Sequence, residues 1–357
     1  MSETAPAHRR RRRSRVGRGI LIGLATLAIG AQLGVIAAGA WAAANPRIVA
    51  DRVTLLTTDL DATVAAYADR AGLSREGVEL LHVSFARIVE PDRFDEFCSR
   101  DEPGIGVLGC YTLADGRIYL YDVENAELAA LEPVVAAHEM LHAAWDRLTA
   151  DEQDALAPLL EQAFAALGPQ HELVERIAAY EADDPGSRIP ELYAIIGSEI
   201  ADVPAELEAH YARYFADRSA VTALNAQVVA VFADLEQRLT SLSDELTALG
   251  ARIDAEQAAY DVDAAALEAD ITAFNERAAR PGGYTSQSVF LRDRDALIAR
   301  QSELQARLDA TNALVGEYNA GLDELEALNA EADELNRSIN VELVPIEEGD
   351  EVEAPAP

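Results

Sequence analysis

The first pattern in the chain is a run without polarity. From Gly19 to Ala44 no residue is charged, and Gln32 is the only strongly polar one. About 20 apolar residues span a bilayer as a helix, so residues 19–44 are expected to form a transmembrane helix. Beyond it the pattern becomes mixed. Asp59 to Arg70 and Ser74 to Leu81 read as short helices. Gly109 to Val123 alternates instead, running Cys-Tyr-Thr-Leu, Ala114-Asp115-Gly116, then Arg117-Ile-Tyr-Leu-Tyr-Asp122. Alternation around an Asp-Gly pair predicts a β-hairpin. From Asn125 to Leu148 the period is helical again, with Pro133 at a first turn or at a kink between two helices. Thr149 with Glu152 forms a capping box that opens the next helix. Pro190 falls in the first turn of another, Glu191 to Ala201.

After Asp217 the pattern becomes a heptad repeat. Leu242, Leu246, Leu249, Ile253, Gln257, Tyr260, Ala264, Leu267, Ile271 and Phe274 follow one another by steps of four and three. The repeat breaks at Arg280-Pro-Gly-Gly283. It resumes through Phe290, Leu297, Gln301, Leu304, Thr311, Val315, Tyr318, Leu322, Leu325, Asn329, Ala332, Asn336 and Ile339. Such a repeat is a coiled-coil seam. Two arms of similar length joined by a short turn fold back antiparallel, each about 80–95 Å long at 1.5 Å per residue. Gln257, Gln301, Asn329 and Asn336 are then expected to set register within the seam. The chain so divides into a basic tail (1–18), a membrane helix (19–44), a mixed domain (45–217), a coiled-coil hairpin (218–340, turning near 280–287) and an acidic disordered tail (341–357).

Charge sharpens the membrane reading. The formal net charge is −34, and every one of the 29 basic residues is Arg. Seven Arg against Glu3 make residues 1–18 net +6, which leaves −40 on the rest. Arg-rich flanks stay cytoplasmic, so a single-pass chain would hold its N-terminus inside and its main body outside. The rival is a secretory signal cleaved near Ala42 to Ala44, but signal cores run only about 7–15 residues. A body this acidic is repelled by phosphate backbones, which excludes nucleic acid as an expected partner. Cys98 and Cys110 both follow the membrane segment, and in an oxidising compartment they read as one disulfide. A metal or redox pair is the alternative, although the spacing is not that of CxxC.

The chemistry concentrates in Val134-Val-Ala-Ala-His138-Glu139-Met-Leu-His142-Ala-Ala-Trp145. Two His four apart on a helix lie one turn apart on one face, so both imidazoles reach one ion. Glu139 between them can reach a water on that ion, which is the logic of an HExxH zinc site. The bland alternative is a pair of satisfied core histidines. It leaves three polar groups unexplained in an apolar helix, where each costs free energy if unpaired.

From about Gly109 to Phe215 the sequence resembles the zincin metallopeptidases. The resemblance implies an α+β domain, mostly helical with a small sheet, in which a strand running beside the substrate precedes the HExxH helix. The strand Arg117 to Asp122 and its hairpin stand in that place. It also implies bound Zn2+ with His138 and His142 as ligands, a third protein ligand, and Glu139 as general base in peptide hydrolysis. The metzincin pattern is excluded, because Ala143-Ala-Trp-Asp-Arg-Leu148 lacks its Gly and third His. Gluzincins draw a Glu from a later helix. Glu191, followed by Leu192, Tyr193 and Ala194, resembles that ligand, although Pro190 stands where an Asn or acid is usual. Glu199 is second and His210 third. Eight residues at 100° each separate Glu191 and Glu199 by about 80° around a helix, so the two are not expected to ligate together. Tyr193, His210 and Tyr211 are the candidate donors to the oxyanion.

Two functions follow as expectations. One is a membrane-anchored extracytoplasmic zinc endopeptidase acting on peptide or protein substrates, with the coiled coil as a spacer or partner-binding arm. The other is a cell-envelope adaptor that works through its coiled coil and carries a degenerate zincin domain.

Overall fold

The computed structural model describes residues 15–98 and 108–339, so the basic tail before Arg15, most of the inter-cysteine loop and the C-terminal tail lie outside them. Helix α1 (Arg15–Ala44) contains the stretch Thr26–Ala44, which is long and apolar enough to cross a membrane and has no part buried in the protein. Pro46, pre-set for a helical first turn, opens a second helix, α2 (Pro46–Thr57), which the hydrophobic pattern did not single out.

The next elements follow from their caps. Helix α3 (Ala62–Arg70) starts where the Asp61 side chain accepts from the Thr63 and Val64 N–H groups, and α4 (Arg75–Val83) where Ser74 accepts from Gly77. Strand β1 (Arg87–Val89) comes next, too short to show a period. The hairpin forms as expected from β2 (Gly109–Thr112) and β3 (Arg117–Tyr121), paired antiparallel with Cys110 opposite Tyr119. Gly116 supplies the positive φ, +68°, that the turn requires. Strand β1 adds parallel to β3, Ile88 opposite Leu120, so the sheet order is β1-β3-β2. This corrects one expectation: β3 is the central strand, and β2 is the edge. Cys98 and Cys110 form a disulfide, which ties the end of a 3-10 turn (Pro91–Glu96) to β2.

Helix α5 (Leu131–Trp145) runs through the middle of the domain, with Pro133 in its first turn. Its Ala136, Ala137, Met140, Leu141, Ala143 and Ala144 are buried, packed among α3, α4, the sheet and a later helix. Helix α6 (Ala150–Leu167) begins with both halves of the Thr149/Glu152 capping box in place. Helices α7 (Leu173–Asp183), α8 (Arg188–Ser198) and α9 (Ala205–Tyr211) complete the domain. Helix α8 crosses α5 closely, because a Cβ at Gly197 would sit 2.5 Å from Leu141 Cδ1. Only a residue without a side chain allows that approach.

Two long helices follow, α10 (Arg218–Ala279) and α11 (Gln287–Ser338), packed antiparallel. Arg238–Glu331, Asp263–Arg307 and Asp270–Arg300 pairs mark the register at successive levels. Between them Gly282 takes φ +76°, and a Cβ on Gly283 would meet the Arg277 carbonyl at 1.9 Å, which explains the Pro-Gly-Gly sequence. The seam differs from its expected form on α11. Leu314, Leu328 and Leu335 are buried, and Gly321 lets Leu246 pack against the helix backbone, while Val315 and Leu322 are exposed. Alternate seam positions thus lie one residue earlier than a four-then-three count places them. Gln257, Gln301 and Asn329 therefore face solvent rather than the seam. Both 3,4 orderings place an apolar residue at most steps here, and packing against Leu242 and Leu246 selects between them.

The coiled coil is not a separate appendage. Val228 and Leu235 of α10, with Leu328, Leu335 and Ile339, share a core with Val89, Phe94, Tyr119, Tyr121 and Leu131. Its root therefore packs on the sheet and on the start of α5. Arg218, with a side chain 4% exposed, donates to the carbonyls of Ile200 and Ala201 and to Glu208. The first residue of α10 thus satisfies groups left open beyond the end of α8.

Candidate metal centre

The sequence places His138 and His142 on α5 one turn apart, and the fold brings the first turn of α8 across from them. The two Nε2 atoms are 3.1 Å apart. Glu191 Oε1 lies 3.3 Å from His142 Nε2, and Glu191 Oε2 lies 3.6 Å from His138 Nε2. Tetrahedral ligands at about 2.0–2.1 Å from a zinc ion stand roughly 3.4 Å from one another. The three observed separations bracket that value. Among the described residues, His138, His142 and Glu191 are the one group of three such side chains whose ligand atoms converge, all within 4.8 Å.

A direct hydrogen bond between the two imidazoles is the competing account of the 3.1 Å contact. It leaves Glu191 Oε2 without a partner, since 3.6 Å is beyond hydrogen-bond reach, and that oxygen is buried. A buried carboxylate oxygen left unmatched costs about 1–3 kcal/mol or more, and a cation among the three groups removes the cost. The residues present therefore fit a metal ion. Burial pushes the Glu191 carboxyl up, but the two imidazoles outweigh it and hold the acid well below the usual carboxylate range. Its place in the first turn of α8 adds the favourable end of the helix dipole.

The comparison with known proteins gives no relative. No family model, curated protein or solved structure matches this chain significantly. The reading of the site therefore rests on its own geometry.

Glu199, the second ligand candidate, sits at the other end of α8 and does a different job. Arg176 of α7 grips it with two hydrogen bonds, 2.6 and 2.9 Å, and Glu199 Oε1 is 3.9 Å from His138 Nδ1. Glu199 thus faces the far nitrogen of the ring whose Nε2 points toward His142 and Glu191. Burial works against the Arg176 charge, but Glu199 and Tyr180 hold its pKa above the ordinary value. The sequence offered no signal for Arg176, which lies 23 residues from its partner. His210, the third candidate, lies behind α8. It takes part in a hydrogen bond with the Tyr193 hydroxyl at 2.9 Å, and the Tyr211 hydroxyl donates to the Tyr193 carbonyl. Burial and nearby Arg213 lower the His210 pKa, so this ring is neutral near pH 7. Tyr193 and Tyr211 are fully buried in the core. None of these three lines the cleft: Tyr193 and Tyr211 belong to the core, and His210 is half-buried behind α8. Tyr180 and Asn225 are polar side chains that do line it.

Glu139 is 5% exposed and lies against the start of β2. A Cβ on Gly109 would sit 2.6 Å from Val135 and 2.9 Å from Glu139 Oε1, so glycine is what allows the strand this close. Residues 108–113 then run along the wall of a cleft of about 1130 Å³. The cleft also takes in His138, Glu139, His142 and Glu191. The coiled-coil root lines it as well, through Val228, Val229 and Phe232 of α10 with Asn336 and Ile339. Asn336, expected in the seam, faces the cleft instead.

Proposed function

We propose that this chain is a membrane-anchored, extracytoplasmic zinc endopeptidase of gluzincin-like build. The observation that carries the reading is the convergence of His138, His142 and Glu191 on one point, with Glu139 beside it and an edge strand alongside. Zinc in that position supplies a Lewis acid and lowers the pKa of a bound water from 15.7 to about 7. The chain's own residues do the rest. Strand β2 offers the unpaired backbone groups of an edge, to which an extended peptide adds by main-chain hydrogen bonds. Apolar Val229 and Phe232 of the coiled-coil root, which also line the cleft, receive substrate side chains. Glu139 takes a proton from the attacking water and delivers it to the leaving amine.

Metal analysis of the purified protein tests this reading. Wild type is expected to hold one zinc per chain, and Glu191→Ala none. Glu139→Gln is expected to keep the metal and lose about 10²–10⁴-fold in hydrolysis of unfolded protein. A wild type without stoichiometric zinc would overturn the proposal in favour of an adaptor acting through its coiled coil.

A further inference from the structure

Helix α2 starts two residues after the apolar helix ends, and it is clasped to the mouth of the cleft. Arg47 in its first turn donates to Asp146 Oδ2 at 2.5 Å, to the Asp146 carbonyl at 3.3 Å and to the Tyr111 hydroxyl at 3.1 Å. The Tyr111 hydroxyl in turn donates to Asp146 at 2.8 Å. One turn later Asp51 lies 3.8 Å from Arg147 Nε. At the far end of α2, Thr58 and His82 are 3.0 Å apart. Asp146 caps α5 four residues beyond His142, Tyr111 stands on β2 two residues beyond Gly109, and both line the cleft.

The distances that follow are short. Gly109 to Tyr111 spans about 7 Å of strand, and His142 to Asp146 spans about 6 Å of helix. Arg47 is three residues from Ala44, the end of the apolar helix. Ile48 and Leu113, 48% and 77% exposed, add apolar side chains at this same end of the cleft, suited to a headgroup region.

From this clasp we infer the substrate class: polypeptide held close to the bilayer, the juxtamembrane segment of a second membrane-anchored protein, cut within about ten residues of its anchor. The inference rests on the endopeptidase reading and on α1 spanning the membrane. An extended peptide advances about 3.3 Å per residue, so ten residues reach about 33 Å from the interface, enough to enter the cleft beside the clasp. Tethering both molecules to one bilayer also raises their effective concentration.

The test uses the zinc-loaded full chain in phosphatidylethanolamine–phosphatidylglycerol vesicles. Two single-helix reporters carry the same unstructured stretch, one next to the anchor and one beyond an inserted folded domain roughly 35 Å across. A soluble unfolded protein serves as the third substrate. The near reporter is expected to be cut about tenfold faster or more than the far one. Arg47→Ala, outside the metal site, is expected to bring that ratio to about one while soluble substrate is cut as before. Equal cutting of both reporters by wild type, with the soluble substrate cut, overturns this inference and leaves the endopeptidase reading standing. No cutting of any substrate overturns both. Position is read separately: a fluorophore on Leu113→Cys should be quenched by lipids carrying headgroup nitroxides, and one on Ser286→Cys, at the far turn, should not. Absence of quenching at Leu113 also overturns the inference.

Discussion

Glu139, Glu191 and Glu199 are three of 63 acids, and what separates them is the neighbour each one faces. Glu191 faces two imidazoles, Glu199 faces the back of one and a guanidinium, and Glu139 faces the backbone of a strand. Outer partners of metal-ligating His typically govern affinity by about 10–100-fold. Glu199→Gln is therefore expected to weaken zinc binding by that factor in chelator competition, with helical content unchanged. Gly109→Ala is expected to act on Glu139 instead. Zinc content should hold while turnover falls, because the added methyl must displace the carboxylate or the strand. At this scale the sequence was most informative where spacing is local. His138, Glu139 and His142 announce themselves because four residues make one helical turn. Arg176 and Gly109 did not, since their meaning lies in contacts that only the folded chain creates.

Among the elements, α2 and α11 show best what a periodicity can and cannot reveal. Helix α2 has no strong pattern, because it is held by ion pairs on one side and leaves Ile48, Val53 and Leu56 exposed on the other. Its docking has a predictable pH response. Burial raises the Asp146 pKa, but hydrogen bonds from Arg47 and Tyr111 outweigh it and leave the folded value below the unfolded one. An acid depressed in this way contributes stability above its unfolded pKa of about 3.9, and the contribution is lost as pH falls through the folded value. The protection factors of amides in residues 46–57, corrected for the intrinsic exchange rate at each pH, are therefore expected to hold from neutral pH to about 4 and to fall below it. In α11 the heptads were legible, but their phase at alternate positions was not, because Leu314 and Val315 are both apolar and at 321/322 the apolar residue is the exposed one, Leu322, beside the seam glycine. Denaturation should separate the two registers. Leu335→Ala is expected to cost about 2–4 kcal/mol, and Leu322→Ala to stay within about 0.5 kcal/mol.

The molecule as a whole joins two parts that the residue pattern reads as separate. The boundary at Asp217 is real as a helix start, yet the core runs straight across it through Arg218, Val228 and Ile339. Shortening both arms to the level of the Arg238–Glu331 pair is expected to preserve zinc content and the cleft. Ile339→Ala, which opens the cleft wall and the second core together, is expected to lower the midpoint of thermal unfolding and change which peptides are cut. The shared wall also bears on how the protein is made. His138, His142, Glu191 and Glu199 are all synthesised before the coiled coil begins, whereas Ile339 follows the last of them, Glu199, by 140 residues. At about 5–20 residues per second, that interval is roughly 7–28 s. During biosynthesis the nascent chain therefore holds His138, His142 and Glu191 before it has a finished cleft, whose lining is complete only after both arms have emerged and paired.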